Sequence, residues 1–148
     1  MPQIERDYIK TGKLIYIFKD FPLEAIHPQA FKAAEAAECS REQDKYWEMH
    51  DMLFANMRAL GTDDLLKYAT TLGLDIPKFQ QCLESGRYAP EIRSDMEEAR
   101  KAGISGTPSF LLGFLEPDGK VRAVSKITGA RPYAAFKEEI DRLLSQMK

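Results

Sequence analysis

Two strand-like stretches stand far apart in this chain, and everything between them has helical spacing. The first is Lys13-Leu14-Ile15-Tyr16-Ile17-Phe18, short, almost wholly apolar and rich in β-branched and aromatic residues, followed by Lys19-Asp20-Phe21-Pro22. Such a run predicts a strand buried on both faces, as parallel pairing requires. The second is Ser109-Phe110-Leu111-Leu112-Gly113. After it, Glu116-Pro117-Asp118-Gly119 has the residues of a tight turn, and 120–127 reads as a returning strand. A strand, a helical block, a hairpin and a final helix predict an α/β sheet carrying a helical insertion.

The helices follow from apolar spacing and from punctuation. Ile4, Tyr8 and Ile9 share a face, and Thr11-Gly12 closes a helix tail over 3–10. Pro28 opens a helix reaching about Cys39. Tyr46, Trp47, Met49, His50, Leu53, Phe54 and Met57 predict a second, with Trp47, Phe54 and Met57 in the core of the helical block. Thr62 is read as the cap of a third helix over 63–72, ended by Gly73. Asp75 and Pro77 start a fourth, with Phe79, Cys82 and Leu83 inward and Ser85-Gly86 as its stop. Pro90 starts a fifth, with Ile92, Met96 and Ala99 inward and Gly103 at its end. Pro132 opens the last, with Phe136, Ile140, Leu143, Leu144 and Met147 on one face.

Charge and length exclude several classes. The chain has 148 residues, 21 basic and 23 acidic side chains, and a net charge of −2. It has no basic excess to neutralise phosphates, so nucleic acid is not an expected partner. No apolar run approaches the ~20 residues that span a bilayer. Met1-Pro2-Gln3-Ile4-Glu5-Arg6 has no apolar stretch, which predicts no signal peptide in this chain. At this length one domain with a real core is expected, with no metal staple.

Gly103-Ile104-Ser105-Gly106-Thr107-Pro108-Ser109-Phe110 brings a proline to the first position of a strand. There Pro is tolerated, and Pro108 is a candidate cis proline. With this loop the chain resembles the thioredoxin superfamily, and within it the DsbA-like disulfide oxidoreductases. KLIYIFKDFPL over 13–23, His27-Pro28, Ala33-Ala34-Glu35-Ala36-Ala37, Tyr46-Trp47-Glu48-Met49-His50-Asp51, Gly106-Thr107-Pro108, and Gly129-Ala130 with Pro132-Tyr133 and Phe136 carry the likeness. It runs over nearly the whole chain. It implies a thioredoxin-like fold with residues 13–23 and 104–148 as the core and 24–103 as the inserted helical domain. It also implies thiol:disulfide exchange on protein or peptide cysteines, with Thr107 and Pro108 binding the substrate backbone, no cofactor, and an extracytoplasmic location; if Met1 is the true start, the location is cytoplasmic.

The chain departs from that family at the chemistry. The family's Cys-x-x-Cys lies at the start of the first helix, after a first strand; this sequence has neither, and only Cys39 and Cys82. No catalytic residue is therefore assigned, and the chain as given is expected to be inactive. The missing strand would lie between 13–18 and 109–113, leaving edges that recruit other chains. Three readings stay open: a fragment or wrongly assigned start, which the abrupt beginning inside an element favours; a short protein pairing the two strands directly; or self-association through the open edges. The competing function is a redox-inactive peptide-binding or scaffold protein on the same fold.

Cys39 and Cys82 are either buried thiols or, as in some members of the family, a structural disulfide between two helices of the insertion. His27, Cys39, His50 and Cys82 have no finger-like spacing, so no metal is expected. Glu24, Glu35, Glu38 and Glu48 are read as solvated.

Overall fold

Alanine at positions 30, 33, 34, 36 and 37 gives helix α2, Ala30–Arg41, a thin profile that neighbours can approach from several sides. In the structure, a computed structural model describing residues 2–147, α2 packs against α3 (Tyr46–Ala55), α4 (Thr62–Thr71), α5 (Ile76–Ser85) and α6 (Ala89–Lys101). These helices form one unit, Lys19–Gly103. Its main core gathers Ala36, Met49, Leu65, Ala69, Phe79, Cys82 and Leu83. A smaller cluster sets Ala34 against Ile92 and Met96, with Phe21 and Phe31 at its margin.

Local chemistry sets the helix ends. The Asp75 carboxylate accepts from the Lys78 backbone N–H at 3.1 Å, and Pro77 sits in the first turn of α5. Gly86 ends that helix at φ 61°, where a Cβ would be strained. At α4 the expectation fails: Thr62 is already helical, Gly61 occupies the cap, and no side chain bonds the first turn. Asp63 and Asp64 instead place negative charge at the positive end of the helix.

The second unit takes the residues up to Phe18 together with those from Ile104 onward. It holds α1 (Pro2–Ile4), which runs on as a π-helical turn over Glu5–Ile9, a hairpin of β1 (Ser109–Leu115) and β2 (Val121–Thr128), and α7 (Tyr133–Ser145). Ile4, Tyr8, Phe136 and Ile140 form its core, with Leu14, Phe110, Leu112 and Ile127 packed against them. The Tyr8 hydroxyl donates to Asp141 at 2.7 Å and the Tyr133 hydroxyl to Asp7 at 2.5 Å, so two tyrosines tie the N-terminal turn to α7. Met147, expected on the apolar face of α7, is 69% exposed, because it follows the helix end at Ser145.

β1 and β2 pair antiparallel from Ser109↔Thr128 to Leu115↔Val121, with a shift in register between Leu112 and Gly113. At that irregularity the chains come very close. A Cβ on Gly113 would lie 2.1 Å from the Arg122 carbonyl oxygen and 2.8 Å from the Ala123 Cα. Those atoms are backbone and cannot rotate away. Gly113→Ala is therefore expected to destabilise this unit by about 1–3 kcal/mol, the usual cost of overpacking. Urea unfolding followed by circular dichroism measures it; a midpoint equal to the parent's would refute this register.

The segment 13–18 is not a strand buried on both faces. Among the described residues the sheet has two strands, and 13–18 belongs to neither. Burial instead alternates: Leu14, Tyr16 and Phe18 are half-buried, while Ile15 and Ile17 are 69% and 52% exposed. The reason is one-sided support. Leu14 has the core around Phe136 and Ile140 to pack on, and nothing covers Ile15 and Ile17 to the same degree. An apolar run signals two-sided burial only when layers exist on both sides.

Candidate functional site

The loop before β1 is built from its two ends. Ile104 is buried and anchors the entry. The Ser109 hydroxyl donates to the Gly106 carbonyl at 2.7 Å, and the Gly129 N–H donates to the Pro108 carbonyl at 2.9 Å. The loop is thereby fixed to the open end of the hairpin. Thr107 and Pro108 are both exposed, and the peptide bond between them is cis. Among the described residues no protein hydrogen bond engages the Thr107 backbone. An exposed backbone of this kind, rigidly held beside a strand, can pair with an extended peptide.

Cys39 on α2 and Cys82 on α5 are joined in a disulfide, with their Cα atoms 5.8 Å apart. Both are buried to 2% exposure or less, so the sulfurs are not offered to a substrate. Bonded to each other, they are also withdrawn as metal ligands. His27 is exposed in the loop before α2, and His50 lies on α3. Among the described residues no group of His, Cys, Asp and Glu could hold a metal ion.

The aromatic residues of α3 lie elsewhere than expected. Trp47, Phe54 and Met57 are 47%, 55% and 69% exposed rather than in the core. Helix α3 buries only Met49 and Leu53. Trp47, His50 and Phe54 recur three and four residues apart along its outer side, with ring centroids 5.2 Å and 4.7 Å apart in turn. Tyr46, Trp47, Met49, His50, Leu53 and Phe54 on this one helix exceed what a single buried stripe accepts, the spacing alone does not say which stripe wins, and Met57 lies past the helix end at Ala55.

Two glutamates read as solvated are buried. Glu35 is 5% exposed and Glu38 is 3% exposed. Because α2 is surrounded, its polar positions are enclosed too, and long cations reach in to meet them. Lys32 bonds Glu35 at 2.9 Å and Arg41 bonds Glu38 at 2.7 Å, each three residues away. Only one Glu38 oxygen is served; Oε2 is buried with no hydrogen-bond partner. Asp20, which sequence reasoning did not single out, is also buried, at 8% exposure. Its backbone N–H donates to Asp95 Oδ2 at 3.1 Å, while Lys19 holds Asp95 Oδ1 at 2.6 Å. Burial, and then the neighbouring Asp95 charge, push the Asp20 carboxyl up to about 6. Burial, reinforced by Glu91, Asp20 and Asp95 against the opposing pull of Arg41, pushes Glu38 up to about 7. Tyr46, over whose ring Arg41 sits at 4.9 Å, is raised as well, by burial first and then by Asp20 and Glu38.

Comparison with known proteins adds three findings. The family described as thioredoxin matches residues 1–128. Curated relatives include a Na(+)/H(+) antiporter NhaA 3 from Salinispora tropica, 43% identical over 111 residues that make up 75% of this chain and 17% of that protein. A Na(+)/H(+) antiporter NhaA 1 from Mycobacterium sp. (strain KMS) is 34% identical over 77% of this chain and 19% of its own length. The chain thus spans less than a fifth of the curated relatives it matches. Among solved structures, a double cysteine-to-alanine variant of alpha-DsbA1 from Wolbachia pipientis superposes with a TM-score of 0.81, at 25% identity, over 98% of this chain and 75% of that one.

Proposed function

Since the chain belongs to the thioredoxin family and is a DsbA-like member of that superfamily, we propose that it serves protein thiol:disulfide chemistry as the substrate-binding body of such an enzyme. The observation that carries this is the exposed Thr107–Pro108 loop, tied by Gly106 and Gly129 to the end of a hairpin in a thioredoxin-like fold. In this reading 13–23 and 104–148 are the thioredoxin-type core and 24–103 is the helical insertion. The division of the chain into two units supports its outline, with the boundary at Phe18/Lys19, so that 19–23 go with the helical unit. Substrates are extended polypeptides with cysteines, engaged through strand-like hydrogen bonds at the Thr107 backbone, while Pro108, which has no N–H and whose carbonyl accepts from Gly129, holds that backbone in place beside them. The buried Cys39–Cys82 disulfide fits an oxidising, extracytoplasmic setting. The antiporter names belong to proteins several times longer. No helix of the described residues is long and apolar enough to cross a membrane, and the thioredoxin family matches 1–128 of this chain, so antiport is not carried over.

Chemistry divides binding from turnover. Thiol exchange needs an accessible thiolate of lowered pKa. The 148-residue sequence contains no Cys-x-x-Cys, and both its cysteines are buried in one disulfide. This polypeptide by itself therefore binds without exchanging, which is also the behaviour of a redox-inactive peptide-binding protein. Two measurements test the reading. In dithiothreitol-driven insulin reduction the chain should add nothing to the bare-thiol rate, and turnover above that rate would refute the division. In NMR titration with an extended cysteine peptide, shifts should centre on 106–109, and Thr107→Arg should weaken binding at least tenfold. Shifts that avoid this loop would remove the proposed site.

A further inference from the structure

The helical unit encloses more negative charge than it neutralises. Around Asp20 and Glu38 stand Asp95 and Glu91 from α6, with Glu98 of the same helix on Lys19. Against these five carboxylates are two cations, Lys19 and Arg41. Lys19 is committed to Asp95 and Glu98, and Arg41 to Glu38 and Glu91. The phenols of Tyr46 from α3 and Tyr88, just before α6, complete the surroundings. Asp20 thus faces Asp95 with no cation bonded to it, and Glu38 keeps one buried oxygen with no hydrogen-bond partner. Two enclosed carboxylates in this position cannot both ionise without mutual repulsion and loss of hydration.

We propose that the helical unit is a proton-responsive body, in which the cluster of Asp20 and Glu38 against Asp95 takes up protons in mildly acidic medium and tightens the attachment of 19–20 to α6. The sign follows from the burial of the neutral form. Unfolded, the two acids ionise in the ordinary carboxylate range; folded, they hold their protons to about pH 6 and 7. A raised carboxyl stabilises the fold below the unfolded value in relative terms, and that advantage disappears as pH climbs through the folded value. The unit therefore weakens between about pH 4 and pH 7, opposite to ordinary acid denaturation. This inference is independent of the redox reading, because it invokes neither thiol chemistry nor residues 107–108.

The single tryptophan, Trp47, lies in this unit and reports its unfolding. In urea melts of the full chain followed by Trp47 fluorescence, the midpoint should be higher near pH 5 than near pH 8. Glu38→Gln and Asp20→Asn should each raise the midpoint near pH 8 and remove a large share of the difference. A parent midpoint that is flat or rises with pH would overturn the proposal, as would a Glu38→Gln protein keeping the full slope. Should the variants not fold, carbon-13 titration of the parent decides: a Glu38 side-chain carboxyl shift that moves well above the ordinary glutamate range supports it, and one that moves within or below that range refutes it.

Discussion

Replacing Cys39 and Cys82 together by Ala is expected to lower the stability of the helical unit by about 4 kcal/mol. The bond closes a loop across a sequence separation of 43 residues, and in the chain-entropy account a loop of that size restricts the unfolded ensemble by that amount. Domains of this kind have about 5–15 kcal/mol in total, so the loss takes a large fraction of it. The two sulfurs also sit in the core with Phe79, Leu83 and Met49, where removal leaves small voids. Urea unfolding of parent and variant, both followed by Trp47 fluorescence, measures the difference. Because the sulfurs are at most 2% exposed, dithiothreitol should reduce the parent slowly in buffer and quickly in denaturant. A loss below about 1 kcal/mol would show that the unfolded chain does not gain the freedom which the loop argument assigns to it.

What the sequence made legible and what it hid divide along a physical line. The hairpin was readable because the turn residues Glu116-Pro117-Asp118-Gly119 between two strand-like runs act locally, and the strands run only one or two residues past the expected ends. Gly86 and Asp75 were readable for the same reason: a left-handed stop and a side-chain cap need only their neighbours. The family likeness rested on order and spacing, and the thioredoxin match and the alpha-DsbA1 superposition agree with it. What failed depends on layers distant in sequence. Glu38 looks like any helix carboxylate until four other helices surround α2. Trp47 and Phe54 look like core until Met49 and Leu53 are seen to take the inward stripe. The i,i+3 pairs Lys32–Glu35 and Glu38–Arg41 were a faint signal, since cations at that spacing partner buried as well as exposed acids.

Segment 13–18 is where the largest change in solution behaviour is expected. The 148-residue polypeptide should self-associate at micromolar concentration, and Ile15→Lys combined with Ile17→Lys should return it to monomer. The argument begins with area. Ile15, Ile17 and Leu111, all in one unit, are 69%, 52% and 43% exposed, and large exposed apolar side chains of this kind favour contact with a second copy. Edge geometry comes next: β1 pairs with β2 alone among the described residues, so its other side is outside any ladder. Natural edges are blunted by charge, above all by lysine. Lys13 and Lys19 bracket this segment, yet the Lys19 ammonium is held at 2.6 Å by Asp95 and at 3.3 Å by Glu98. Lys13, whose charge acts on Asp141, is the other lysine at the ends of the segment, whereas alternating β-branched and aromatic side chains favour pairing with a second copy. The double lysine variant places charge on the outward side of the same segment and leaves Leu14, which packs on the core, untouched. Sedimentation velocity over a concentration series reads the result directly. A parent that stays monomeric throughout would mean that the exposed isoleucines are tolerated singly, as scattered surface apolar residues are, and that the open side of β1 is no template for another chain.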